Sequence, residues 1–388
     1  MSEEKNVPNI RFKGFTDPWE QRKFEYLLDE NDGIRRGPFG SALKKECFVP
    51  QSDYVVYEQQ NAIYNKYETR YNITKDKFEE LKKFELKPED FIMSGAGTIG
   101  RISRVPHGIN KGVFNQALIR FRIDNRITDF EYFLQFIRAD FMQKKLTSTN
   151  PGSAITNLVP MSEVKKWNIL VPQKNEQSKI GFFFKQLDDT ITLHQQKVTQ
   201  LKELKKLLMQ KIFDQEWRFK GFTDPWEQRK LGECLNVNSG KDYKSLKRGN
   251  IPVYGTGGYM CSVDQALSYN EDAIGIGRKG TINKPYILRA PFWTVDTLFY
   301  IVPKAKLNLF FVYLIFQKVN WKRKDESTGV PSLSKSIIKS VKELFPKGRE
   351  QNEIAELFEI LDTTIALHQQ KVDQLKELKK YLMQNLFV

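Results

Sequence analysis

Two short glycine motifs are the first places in this sequence where chemistry could be done. Gly95-Ala-Gly-Thr-Ile-Gly100 and Gly275-Ile-Gly-Arg-Lys-Gly280 both spell G-x-G-x-x-G, the pattern with which a strand-to-helix turn cradles a dinucleotide pyrophosphate. That chemistry needs a helix opening in the glycines and an acidic residue about 20 positions further on. The segments that follow carry Pro106, Pro285 and Pro291 among strand-forming residues, so no helix opens and the dinucleotide reading is rejected. The glycines are read instead as tight turns that let backbone approach something closely. Around them stand side chains of the types that meet phosphates and base edges: Thr98, Arg101 and Gln116 near the first, and Arg278, Lys279, Thr281 and Asp296 near the second. Two further loops add candidates. Gly37 to Lys45, preceded by Arg35 and Arg36, offers Ser41, Lys44 and Lys45, while Ser239 to Lys244 with Tyr254 to Tyr259 offers Lys241, Tyr243, Lys244, Tyr254 and Thr256. Pro151 to Leu158 parallels Ser327 to Leu333; each reads either as backbone N–H groups open to an anion or as a helix-capping turn.

Other chemistries find no support. The sequence has no G-x-x-x-x-G-K-[ST] for ATP hydrolysis, no methyltransferase N-P-P-Y, no zinc-ligand spacing and no hydrolytic triad. His194 and His368 lie on an apolar helical seam, where they read as polar residues fixing register rather than as a metal pair. Cys47, Cys234 and Cys261 lack metal spacing and, odd in number, form no disulfide framework. The expectation is a chain that is not an enzyme and holds no metal and no cofactor. With 62 Lys and Arg against 47 Asp and Glu, the formal charge of +15 suits a polyanionic partner. No run approaches the roughly 18 apolar residues that span a bilayer, and the opening MSEEKNVPNI has no basic stretch leading into an apolar one, so a cytoplasmic protein without membrane contact is expected.

The elements that must position these loops announce themselves by repetition. Arg11 to Lys23, RFKGFTDPWEQRK, recurs unchanged as Arg218 to Lys230, an offset of 207 (218 − 11). Leu187 to Phe213 recurs as Leu361 to Phe387 at an offset of 174 (361 − 187), with six of 27 positions changed. The chain is therefore a tandem duplication of a short head, a module and a long helix, in which head and helix stayed alike while the modules diverged. Segments kept alike within one chain face like surroundings and divergent ones face different ligands. Leu187, Ile191, Val198, Leu201 and Leu208, matched by Leu361, Ile365, Val372, Leu375 and Leu382, recur at spacings of three and four or their sums and predict two coiled-coil helices. The first, from Asn175, would span about 58 Å over about 39 residues. Lys197, Lys202, Lys205, Lys206 and Lys211 read as a solvated helix face, with phosphate contact as the alternative. The fold expected is α/β (α+β): two globular domains joined by two long helices pairing as an antiparallel coiled coil, a pseudo-two-fold tandem repeat with the modules at opposite ends of a rod. Its segments are 1–174, 175–216, 217–348 and 349–388. Each module mixes short strands with a helical stretch, Phe130 to Leu146 in the first and Leu307 to Lys318 in the second.

WEQRKLGE-like heads followed by helices of the form LHQQKVxQLKELKKxLMQ, in the order head, module, helix, head, module, helix, resemble the specificity subunits of type I restriction-modification systems over essentially the whole chain. The resemblance implies that the two modules are target-recognition domains, each reading one half of a split, asymmetric site in double-stranded DNA, and that the helices set the gap. It implies two modification (methyltransferase) subunits held by the two helical spacers, and two restriction subunits joining the complex. S-adenosylmethionine, ATP and magnesium would then belong to those partners. The competing reading is a coiled-coil protein–protein adaptor.

Overall fold

The computed structural model describes residues 7–147, 159–304, 306–325 and 327–387. Two compact units emerge: residues 1–194 with 371–388, and residues 195–370. Each contains one module and part of each long helix, Lys174–Phe213 and Gly348–Asn385, so the contacts divide the chain within the helices rather than at their ends.

In the first unit, Ile34–Arg36, Leu118–Phe121, Phe91–Ser94 and Ile102–Arg104 form a four-stranded antiparallel sheet in that order. A second sheet runs Phe48–Val49, Tyr71–Ile73, Tyr54–Tyr57 and Lys111–Phe114, the last pair parallel. The second unit repeats the plan with Leu235–Ser239, Leu298–Pro303, Ala273–Gly277 and Tyr286–Leu288, and with Gly258–Val263, Arg248–Gly255 and Trp293–Thr294, again parallel at the last pair. The longer first module places its extra residues in Phe48–Val49 and in helices Gln59–Tyr64 and Lys75–Glu80. Phe24, Phe91, Phe121 and Phe133 meet ring to ring at the centre of the first core, and Phe213, Trp226, Phe311 and Phe345 do so in the second. The helical stretch expected over 130–146 is two helices, Phe130–Arg138 and Asp140–Leu146, broken at the extended, fully buried Ala139; its counterpart is the single helix Leu309–Lys318.

The duplicated segments form duplicated joints. The head strand Glu20–Lys23 pairs with Asn168–Val171, and Glu227–Lys230 pairs with Lys342–Phe345. Arg11 donates to Glu176 at 2.7 and 2.8 Å, and Arg218 donates to Glu350 at 2.8 and 2.7 Å; both carboxylates are 2% exposed. Gln177 accepts from the Asp129 N–H and donates to the Pro172 carbonyl, and Gln351 treats Asn308 and Pro346 alike. These glutamines thus tie the start of each long helix to the residue that caps the module helix, Asp129 or Asn308. Glu176→Ala and Glu350→Ala are each expected to destabilise their own unit by roughly 2–3 kcal/mol, less than a fully buried pair would lose because each arginine keeps some hydration. Unchanged thermal unfolding in both variants would show these pairs to be idle. The backbone repeats as well. The Trp217 N–H donates to the Lys211 carbonyl at 3.0 Å, and at the equivalent place Ile10 donates to Asn385, also at 3.0 Å.

The expected antiparallel pairing is present in the first unit: Phe184 stacks on Phe387, and four residues later Asp188 accepts from Lys379 at 2.6 Å. Leu187 and Ile191 share that apolar cluster with Val372, Leu375 and Leu382. Burial pulls the Lys379 ammonium below its usual range, against the opposing effect of Asp188. In the second unit Lys205 donates to Asp362 at 2.7 Å, the same bond with the roles exchanged, among Leu201, Leu208, Leu361 and Ile365. Val198 is also buried. No helix among the described residues is long and apolar enough to cross a membrane.

Candidate nucleic-acid interface

In both modules the loop after the first sheet strand is forced against the same turn. The Gly37 N–H donates to Leu118 O at 2.9 Å, and a Cβ on Gly37 would stand 1.9 Å from Asn115 O. Gly240 donates to Leu298 O at 3.0 Å, and its Cβ would stand 2.0 Å from Val295 O. Only glycine permits that approach. The glycine motif is the second element on this turn in the first module, where Gly95 donates to Ala117 O. In the second module Arg278 donates to Thr297 O. Both motifs run from strand to strand, with no helix at the glycines.

The first module thereby opens a cleft of about 750 Å³ lined by Arg36, Phe39, Ser41, Lys83 and Gln116 among others. Arg36, Ser41 and Gln116 are brought together there. Thr98 and Arg101 are exposed on the neighbouring turn, which Ser94 Oγ fixes by donating to Thr98 O and accepting from the Arg101 N–H. Lys44 and Lys45 are exposed further along the loop and do not line the cleft. Arg35 is different. Its guanidinium is held by Asp32 at 2.8 Å, so its first role is structural.

In the second module a cleft of about 660 Å³ gathers Tyr243, Lys244, Thr256, Tyr259 and Asp296, with the hairpin tip Gly255 to Gly258 as one wall. Lys241 stands beside it, its carbonyl accepting from Trp293 Nε1. Tyr254 is half-buried and packs on the rings of Tyr259 and Tyr286, which makes it a support of the wall. A smaller cleft of about 380 Å³ collects Ser239, Arg278, Lys279, Ser332, Ser334 and Lys335 with no carboxylate in its lining. Three cations and three hydroxyl groups there suit a phosphate. Thr281 is half-buried behind this turn and does not line it. The backbone amides of 327–333 are not open to an anion throughout: Asp325 accepts from the N–H groups of Ser327 and Ser332, and Leu333 donates to Arg278 O. Pro151 to Leu158 lies outside the described residues.

A family model for the type I restriction modification DNA specificity domain matches this chain twice, over residues 39–203 and 223–377. The chain belongs to that family.

As a type I specificity subunit, it is a DNA-sequence-recognition component and not a catalytic one. It is 23% identical over 317 residues to the specificity subunit of the type I restriction enzyme MjaVIII of Methanocaldococcus jannaschii, covering 70% of this chain and 73% of that one. Its fold is similar to the crystal structure of the S subunit of a type I restriction-modification system from M. genitalium, with a TM-score of 0.70 at 18% identity over 98% of this chain and 99% of that one. A chain from a structural study of complex assembly and conformational transition in a type I system matches with a TM-score of 0.54 at 15% identity, over 95% and 97% of the two chains. Each family match takes in most of one module together with most of the long helix that follows it. The sequence points to the loops that carry Phe39 and Tyr259 without singling out either ring, and gives no sign of Lys83; each of the three lines a cleft of this specificity subunit. The available signal was an aromatic between glycines, Gly37-Pro-Phe-Gly40, that no helix or strand period explains.

Proposed function

We propose that each module reads one half of a bipartite, asymmetric site in double-stranded DNA through its cleft, and that the paired helices set the gap between the halves. The readers in this proposal are Arg36, Ser41, Lys44, Lys45, Thr98, Arg101 and Gln116 in the first module, and Lys241, Tyr243, Lys244, Thr256, Arg278 and Lys279 in the second. Arg35, Tyr254 and Thr281 stand behind them as supports. Two methyltransferase subunits are held by the duplicated head and helix segments, and two restriction subunits join them. This chain carries no cofactor; S-adenosylmethionine, ATP and magnesium belong to the partners, and the complex works in the cytoplasm.

One observation carries the partner assignment. Lys13, Thr16, Asp17, Glu20, Gln21, Arg22 and Lys23 are exposed, as are their identical counterparts Lys220, Thr223, Asp224, Glu227, Gln228, Arg229 and Lys230. Exposed positions vary freely unless something binds them, so two matching exposed surfaces beside two unlike clefts are best accounted for by two copies of one partner and two different DNA half-sites.

The test is co-expression with the neighbouring methyltransferase subunit in a methylation-free host, followed by genome-wide mapping of methyladenine. A single split motif with a fixed gap is the expected result, whereas a stable complex with no methylation would favour the adaptor. A second expectation concerns affinity. Arg278→Ala and Lys279→Ala should each weaken binding about uniformly across sequences and lower the slope of log K against log salt by about 0.9, the share of one phosphate contact. Salt titrations from roughly 50 to 200 mM would read this, and an unchanged slope would remove both residues from the DNA.

A further inference from the structure

Phe39 is 87% exposed, more than any other large apolar side chain among the described residues. It belongs to no apolar cluster of its module. Its backbone, in contrast, is fixed. Gly37 is pressed on Asn115, Pro38 restricts the approach, the Ala42 N–H donates to Phe39 O at 2.9 Å, and Gly40 lies against the Gln116 side chain. The tip therefore holds a bare ring in place at the mouth of the first cleft.

The surroundings decide what the ring meets. Arg36 and Lys83 line the same cleft and Lys44 and Lys45 follow on the loop; the one lining carboxylate, Glu80, is engaged by Lys77 at 2.8 Å. A protein partner would be met by a contiguous apolar patch. The other apolar side chains of the lining, Pro38, Ala42, Leu81 and Phe84, are buried or half-buried, and a single exposed ring among cations matches nucleic acid, whose phosphates take the charges and whose bases offer faces to stack on. The second module has no equivalent at this position, because the residue matched through Gly37 and Gly240 is Asp242; the exposed aromatic of its cleft, Tyr259, comes from the strand Gly258–Val263 instead.

We propose that Phe39 is a wedge that enters between adjacent base pairs of the half-site read by the first module, unstacking that step and kinking the duplex. Side-chain wedges of this kind bend DNA by about 20–90°. Pyrimidine–purine steps open most easily, so the first half-site contains TA or CA/TG where Phe39 enters. Specificity at that step comes from deformability rather than from a hydrogen bond.

This proposal rests on the DNA-reading function above, and its test separates the two. The full chain is assembled with its methyltransferase subunit on duplexes carrying the mapped motif, with 2-aminopurine placed at successive positions of the first half-site and dyes at the duplex ends. Wild type should brighten the probe at one step and bend the duplex. Phe39→Ala should abolish both and weaken specific binding on the order of ten-fold or more, while Phe39→Leu, still an apolar wedge, keeps most of both. The ring packs in no core cluster, so an unchanged melting temperature is expected in both variants. No unstacked step in wild type, or the same step in Phe39→Ala, overturns the wedge while leaving the reading intact. Loss of the methyltransferase subunit from Phe39→Ala would assign the ring to a protein contact instead. Absence of any split methylation motif would remove the reading itself and the wedge with it.

Discussion

Replacing Asp32 by alanine is expected to destabilise the first module by about 3–5 kcal/mol, the cost of leaving a buried charge uncompensated. Asp32 accepts from Arg35 at 2.8 Å, Arg120 at 2.5 Å and Arg122 at 2.8 Å. Arg122 is also clamped by Asp90, which is 1% exposed. The Arg120 side chain is 1% exposed and pairs with no other carboxylate among the described residues, so Asp32→Ala leaves its guanidinium buried without a counter-charge, with the backbone carbonyl of residue 32 as its acceptor. Thermal unfolding of the full chain reads the loss, and Arg120→Met added to Asp32→Ala should recover much of it by exchanging the stranded charge for apolar packing. Wild-type stability in the single variant would mean that water reaches this cluster.

Acid should reproduce part of that effect. Burial raises the Asp32 carboxyl, but hydrogen bonds from Arg120 and Arg35 and their charges outweigh it and bring the group down to about 2. Because the folded value lies below the ordinary one of 3.8, this stabilisation is complete above about pH 4 and lost as pH falls through about 2. The acid limb of Asp32→Ala should be flatter over that interval. The strand Ile34–Arg36 leads directly into the loop of Arg36 and Phe39, so the variant should also impair reading of the first half-site while sparing the second.

Exchange of Leu231 to Pro346 for the module of a related specificity subunit should replace one half of the methylated motif completely and leave the other half and the gap unchanged. The joints make this feasible. Glu227–Lys230 would meet the incoming strand through backbone hydrogen bonds alone, and Gln351 would tie down the N–H at the 308 position and the carbonyl at the 346 position whatever their side chains. The demanding contact is apolar: Phe213 and Trp226 stay behind and need a ring where Phe311 was. Mapping methyladenine before and after the exchange gives the answer, and a change in both halves would defeat the assignment of one reader to one half-site.

Much of this architecture was legible because duplication writes itself in identities. The heads, the helices and the seam from Leu187 to Leu382 needed only spacing, and the prolines after the glycine motifs excluded a helix there. The sheet pairings were not legible. Glu20–Lys23 and Glu227–Lys230 are the same four residues, yet their partners read NILV and KELF, since a ladder is made by backbone groups that any side chain leaves in place. The Asp32 cluster was hidden because Arg120 and Arg122 stand 88 and 90 positions away from Asp32 in the sequence. From the sequence Arg35 reads as a DNA contact, and its ion pair with Asp32 is not visible there. Phe39 escaped for the opposite reason. A residue chosen for what it meets outside the fold leaves no periodicity inside it.

The hydrogen bond from Ile10 to Asn385 copies the one from Trp217 to Lys211, although residues 211 and 217 lie 6 positions apart in the sequence (217 − 211) and 10 and 385 lie 375 apart (385 − 10). The same joint thus forms once across a short covalent turn and once between residues distant in the sequence, so the contacts of the joint do not depend on the peptide that crosses it. A gene that began after the 211–217 turn and ran through a short linker from 385 back to 10 would encode the same two units in the reverse order.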